Sequence, residues 1–309
     1  MQADLVVPTY KGARYLPFLL KSIENQSEKP EKVIFVLKRS NDSSEEIINE
    51  FRKKINTEII FQESGNIVTA YQLGIQTSDA EIITFTDDDA VLEKGWVEKY
   101  LNFFKENSDA GGAGGLTLKA NLEKTELVLT ENNFYEEKFT RETYWRKPLP
   151  EVFEYNEGVS ISGFLYRKRF DADSKVLLSL HLAGANMAFK KEAIKGINLD
   201  KLFKNNKTRA YWFESILAYY ALKNNFNVYR LREKSIAPIA WHIENKPSLT
   251  RTKGFWNEFW IHYDRVKMYY RLKELGARVS FPAYILACLA SLRKRPFPRF
   301  LAAVYAQMF

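Results

Sequence analysis

Apolar positions along this chain recur in two periods, and the first ninety or so residues switch between them four times. Residues 5–7 are a short apolar run closed by Pro8. Thr9, Tyr10, Lys11 and Gly12 then read as the turn before a helix, in which Tyr15, Leu16, Leu19, Leu20 and Ile23 recur at helical spacing. A second run at 33–37 passes through Ser40, Asn41, Asp42 and Ser43, a helix-capping sequence, into a helix whose stripe is Ile47, Ile48, Phe51 and Ile55. A third run at 58–61 turns at Gly65 and Asn66 into a helix through Val68, Tyr71 and Ile75. The fourth, Ile82, Ile83, Thr84, Phe85 and Thr86, is β-branched and aromatic, as a buried strand should be, and runs straight into Asp87, Asp88 and Asp89. Such alternation predicts an α/β fold: a mostly parallel, Rossmann-type sheet flanked by helices, with binding groups at the carboxyl ends of its strands.

Farther on, Trp96, Val97, Tyr100, Leu101 and Phe104 mark a helix, and 111–118 a glycine-rich strand. Residues 121–180 hold no sustained period and are read as an insertion on the acceptor side. The pattern sharpens again at His181. Gly184, Ala185 and Asn186 form a turn at the sheet rim before a strand at Met187, Ala188 and Phe189. A helix spans 212–223 with Glu214 in its first turn, a strand covers 227–231, and Trp241 and His242 follow. Beyond them, Phe255, Trp256, Phe259, Trp260, Tyr263, Val266 and Tyr270 lie on one helical face, residues 281–292 carry no charge, and a second apolar run fills 300–309.

Composition narrows the picture. The 46% hydrophobic and 27% charged content is ordinary for a globular chain, and 309 residues suffice for a large core. Cys288 is the only cysteine, which excludes an internal disulfide and a thiolate cluster and fits a reducing, cytoplasmic compartment. A strand beginning near residue 4 leaves no room for a signal peptide, and no apolar run approaches the roughly 20 residues of a membrane span. From 246 to 309 there are 12 Lys or Arg against Glu258, Asp264 and Glu274, so this tail alone accounts for the net charge of +8. Phosphorylated substrates or anionic lipid fit that charge. Nucleic acid fits it too, but no nucleic-acid-binding motif accompanies the charge, so no nucleic acid is expected as a partner.

The three aspartates are the sharpest chemical feature. Carboxylates crowded at one strand end repel each other unless a cation sits among them, and oxygen donors suit Mg²⁺ or Mn²⁺. A solvated acidic turn is the competing explanation. Likewise Glu214 can serve only the helix dipole, and His242 can be a satisfied structural residue.

In order, the segments VVPTY (6–10), SNDS (40–43), TFTDDDAVLEKGW (84–96), GANMAFKKEAI (184–194), Glu214 ahead of the turn at Asn225 and Phe226, and AWH (240–242) resemble the inverting family 2 glycosyltransferases with the GT-A fold. The resemblance covers about 3–243. It implies a catalytic domain over 1–243, with 1–118 binding the nucleotide-sugar and 119–243 the acceptor, and a basic, amphipathic helical tail over 244–309. By the same resemblance Pro8, Thr9, Tyr10, Asp42, Asp87 and Asp88 border the donor, Asp89, Asp87 and His242 hold a divalent cation, and Glu214 is the catalytic base. Gly184, Ala185 and Asn186 fall on the acceptor side.

Two positions depart from that family. Where it commonly reads the donor's base with an aspartate, this chain has Leu37, which cannot accept a hydrogen bond. Where it opens the late helix with an acidic pair, this chain has Phe213 before Glu214. The expected chemistry is single displacement at the anomeric carbon of a nucleoside-diphosphate sugar by a saccharide or lipid-linked hydroxyl. A nucleotidyltransferase is a rival, although PTYKGARY makes a poor glycine-rich loop. A non-catalytic scaffold of the same fold is another. The tail is expected either to pack on the core or to lie on the inner face of the cell membrane.

Overall fold

The computed structural model describes residues 1–135, 138–204, 210–244, 254–293 and 295–308. Lys246, Arg251, Lys253, Lys294 and Phe309 of the basic tail fall outside the described residues.

The first half alternates as the periodicity predicts: β1 (Ala3–Thr9), α1 (Leu16–Glu24), β2 (Val33–Leu37), α2 (Ser44–Phe51), β3 (Thr57–Phe61), α3 (Ile67–Thr77) and β4 (Ile82–Phe85). Then come β5 (Ala90–Leu92), α4 (Trp96–Glu106), β6 (Ala110–Gly114), β7 (Leu116–Glu123) and β8 (Glu126–Asn133). The middle region adds β9 (Glu157–Val159), β10 (Leu165–Arg167) and β11 (Val176–Leu178), and β12 (Met187–Lys190), α5 (Leu199–Leu202), α6 (Phe213–Lys223), β13 (Asn227–Leu231) and β14 (Ile239–Ile243) complete the sheets. Three helices close the chain, α7 (Phe255–Glu274), α8 (Phe281–Ser291) and α9 (Pro296–Met308).

Eight strands form the main sheet in the order β11-β13-β6-β12-β4-β1-β2-β3, and a smaller sheet runs β5-β14-β7-β8. Strands β3, β2, β1 and β4 are mutually parallel, and β12 is antiparallel to both β4 and β6. Every residue of β1 is buried, as a central strand covered on two faces requires. Its alternation divides the core: Leu5 and Val7 pack with Leu16, Ile48 and Trp96 on one face, while Val6 packs with Val68, Tyr71 and Ile216 on the other.

The glycine-rich run at 111–118 is two strands, not one. It leaves the main sheet at Gly114 and enters the small sheet at Leu116, turning at Gly115. A Cβ on Gly115 would lie 2.1 Å from the backbone oxygen of Pro238, so only glycine lets the chain pass. The aperiodic stretch contains the β7–β8 hairpin and the short β9–β10 pair. Half-exposed β8 buries too little to print an alternation in the sequence.

The expected division at 243 does not separate the packing. Met268 and Leu272 of α7 belong to the same apolar cluster as Phe213 and Tyr219 of α6, and a Cβ on Gly163 would meet the α7 backbone at Tyr269. Gly115→Ala should therefore lower stability by about 1–3 kcal/mol through backbone displacement, read as an earlier midpoint in chemical denaturation with an unchanged slope.

Candidate active site

The small sheet brings His242 to the aspartates. Strand β14 pairs antiparallel to β5 with His242 opposite Ala90, and the Ile243 N–H donates to the Asp89 carbonyl at 3.1 Å. His242 Nε2 then lies 3.3 Å from Asp87 Oδ2 and 3.4 Å from Asp89 Oδ1. One donor atom from each of the three residues falls within 4.8 Å of the others. Two carboxylates and an imidazole converging at the mouth of a buried strand fit a divalent cation that accepts oxygen and nitrogen ligands.

The middle aspartate turns the other way. Asp88 is buried, and its Oδ2 accepts from the Tyr10 N–H at 3.1 Å. Asp42 accepts from the Ala13 N–H at 3.1 Å, from Ser40 Oγ at 2.8 Å and from Ser44 Oγ at 2.9 Å, while Ser44 Oγ accepts from the Gly12 N–H at 3.1 Å. Burial pushes the Asp42 pKa up, but these hydrogen bonds outweigh it and hold it below the usual carboxylate value. Both side chains support the loop after β1 by accepting from its backbone N–H groups at Tyr10 and Ala13.

Pro8 and Thr9, both buried, end β1, and Tyr10, which is exposed, opens that loop. Lys11 Nζ lies 5.4 Å and Lys38 Nζ 6.0 Å from the centre of the Tyr10 ring, and Lys38 also donates to the Gly65 carbonyl at 3.1 Å. Leu37 is buried at the end of β2 and offers no side-chain acceptor there.

Glu214 stands in the first turn of α6, partly buried. Burial raises its pKa to about 8, with the Asp87 charge adding to the rise, while N–H donation from its own backbone and from Gly184 opposes it. Asp87 is thus within electrostatic reach of Glu214, which joins the two acidic centres into one site. Gly184 fits between them and the core: a Cβ there would lie 3.0 Å from Tyr71 Oη and 3.1 Å from Glu214 Oε1. The Tyr71 hydroxyl donates to the Gly184 carbonyl at 3.1 Å, and its ring packs on Phe85 and Phe213 at 5.1 and 4.4 Å. Phe213, in the place of an acid, is therefore core.

Ala185 is buried, and its carbonyl accepts from Thr86 Oγ1 at 2.9 Å. Asn186 is also buried, with both ends of its amide engaged. Its Oδ1 accepts from Trp96 Nε1 and Tyr100 Oη, each at 2.8 Å, and its Nδ2 donates to the Leu116 and Pro238 carbonyls at 2.8 and 3.0 Å. An acceptor-facing role for Asn186 is corrected accordingly: it ties the two sheets together.

The sequence pattern missed a clamp from α7. Asp264 Oδ2 accepts from the Tyr211 N–H at 3.1 Å, immediately before the left-handed Trp212 (φ 64°) that opens α6. Arg271 completes the clamp, donating to Asp264 Oδ1 at 2.9 Å and to the Leu202 carbonyl at 3.2 Å, with its guanidinium 3.7 Å from the centre of the Phe203 ring. The seven-residue separation within an amphipathic helix was its only signal in the sequence.

Residues 4–174 match the model of glycosyl transferase family 2, and the chain belongs to that family. It is 29% identical over 110 residues to the minor teichoic acid biosynthesis protein GgaB of Bacillus subtilis, a match spanning 34% of this chain and 12% of that protein. Among solved structures, S. aureus TarS 1–349 superposes with a TM-score of 0.59 at 14% identity, over 99% of this chain and 80% of that one. The mannosyltransferase PcManGT of Pyrobaculum calidifontis, solved with GDP-Man and Mn²⁺, superposes with a TM-score of 0.51 at 13% identity, over 99% and 73%. These likenesses establish the GT-A transferase fold.

Two outcomes are expected. Mn²⁺ at about a hundredfold its Kd should stabilise the protein by about 2.7 kcal/mol in thermal unfolding, and Asp89→Asn should abolish that gain without lowering the Tm of the ion-free protein. Asp264→Asn should cost about 3–5 kcal/mol by stranding a buried guanidinium, whereas Asp264→Leu combined with Arg271→Met should cost much less. If the clamp positions Glu214, kcat stays depressed in the double variant despite its recovered stability.

Proposed function

We propose that this protein is a metal-dependent, inverting glycosyltransferase that moves a sugar from a nucleoside-diphosphate sugar to an acceptor hydroxyl. The observation that carries this reading is the pairing, on one sheet rim, of the Asp87, Asp89 and His242 cluster with a carboxylate whose pKa is raised into the working range.

When bound, a divalent cation supplies the charge neutralisation that a departing nucleoside diphosphate needs, and Asp87, Asp89 and His242 would hold it. Tyr10, with Lys11 and Lys38 beside its ring, offers the donor's base a surface to stack on, read loosely because Leu37 accepts no hydrogen bond. Glu214 takes the proton from the acceptor hydroxyl at Oε1 or Oε2 as that oxygen attacks the anomeric carbon. Gly184 and Tyr71 keep its carboxylate in place. One base acting opposite one leaving group inverts the anomeric centre. The name of the B. subtilis relative supports a teichoic acid as the acceptor.

Leu37 is the observation that favours a non-catalytic, nucleotide-binding scaffold, and turnover separates the two. With labelled nucleotide-sugars and Mn²⁺, release of nucleoside diphosphate supports the transferase, whereas binding without release supports the scaffold.

Glu214→Gln keeps size and hydrogen bonding while removing basicity, so kcat should fall by roughly 10² to 10⁴ with donor binding nearly unchanged. The wild-type kcat/KM should rise with pH along a limb above the ordinary carboxylate range, toward pH 8, and this limb should vanish in the Gln variant. Stability should move oppositely. A folded pKa above the unfolded one means that ionisation costs stability, beginning near the ordinary Glu pKa of about 4.3 and complete above about 8. Glu214→Gln should accordingly melt higher than wild type at pH 8 and close to it at pH 4. Turnover within a few-fold of wild type would move the base elsewhere.

A further inference from the structure

Helices α8 and α9 are built inside out. Apart from Tyr284, their buried faces are made largely of small residues, Ala283, Ala287 and Cys288 on α8 and Ala302 and Ala306 on α9, packed against α7 at Phe259 and Tyr263. Large apolar side chains point away. Leu286 and Leu289 on α8 and Phe297, Phe300, Val304 and Met308 on α9 are all exposed, Leu289 at 59%, Phe297 at 64% and Met308 at 69%. A helix that folds only onto its own protein buries its largest apolar side chains, and contiguous exposed apolar surface marks an interaction site.

Charge selects the partner. From 275 to 309 the sequence has Arg278, Arg293, Lys294, Arg295 and Arg299 and no acidic residue. Arg299 and Arg295 both pair with Glu258, but Arg278 and Arg293 are exposed beside the ends of α8. A second copy docked on this face would bring arginines against arginines. An anionic lipid surface would meet both the apolar stripes and the cations. No helix among the described residues is long and apolar enough to cross a membrane. With 11 and 13 residues, α8 and α9 span only about 16 and 20 Å, against a hydrocarbon core of roughly 30 Å.

We propose that α8 and α9 seat this protein in the headgroup plane of a bilayer containing anionic lipid. The inference stands apart from the transferase reading, because vesicle binding requires no turnover. In flotation assays the full chain should bind vesicles of phosphatidylcholine mixed with phosphatidylglycerol, bind phosphatidylcholine alone at least tenfold more weakly, and release in high salt. The pair Leu289→Glu and Phe300→Glu changes only exposed side chains. It should reduce binding at least tenfold with an unchanged Tm, and Arg278→Glu with Arg293→Glu, two exposed positions, should do the same. Absence of binding to either vesicle, or equal binding by wild type and the Glu variants, overturns the proposal. So does concentration-dependent self-association in sedimentation, lost in the Leu289→Glu and Phe300→Glu variant, with no vesicle binding; that result assigns the face to a second copy.

Discussion

The side-chain amide of Asn186 has two acceptor contacts on one end and two donor contacts on the other, and the site depends on all four. They hold α4 through Trp96 and Tyr100, and they hold the crossing of β7 and the approach to β14 through the Leu116 and Pro238 carbonyls. Because the chain changes sheets at Gly115, beside this amide, the small sheet has a fixed position relative to the main one. His242 rides on that small sheet. Losing the amide would take away the acceptor of the buried Trp96 indole and Tyr100 hydroxyl, and a buried donor left unsatisfied costs about 1–3 kcal/mol.

Acidic residues divide into two kinds by what they face. Asp42 and Asp88 accept backbone N–H groups and hold the loop after β1, and for Asp42 these bonds favour the carboxylate. At Glu214 burial and the Asp87 charge raise the cost of ionisation instead, the arrangement expected where stability is given up for chemistry. The same sequence run, three aspartates in a row, supplies both kinds, because alternate side chains leaving a strand point in opposite directions.

Strands β1, β2 and β4 and helices α1 to α4 were legible from periodicity because each buries a full face and so must be apolar at fixed spacing. The positions of Asp87, Asp89, His242 and Glu214 were legible only as an ordered set resembling a family, since each residue alone has an ordinary structural explanation. Hydrogen-bond partners far apart in sequence were not legible. Asn186 reads as a turn residue until Trp96 and Tyr100 are seen to donate to it, and Asp264 reads as one more acid on a helix until Tyr211 does the same. Such contacts follow from topology and leave no local period. The stripes of α8 and α9 were legible as apolar runs but not as outward faces, since apolar content alone does not say which face is turned inward.

Arg271 and Asp264 grip the chain at Leu202 and at Tyr211, so one helix fixes both ends of the segment between them. A change on that face of α7 is therefore felt in two places at once, at the end of α5 and at the turn into α6. A substitution there can shift Glu214 without touching the site, so selection on the site reaches a helix far from it in sequence.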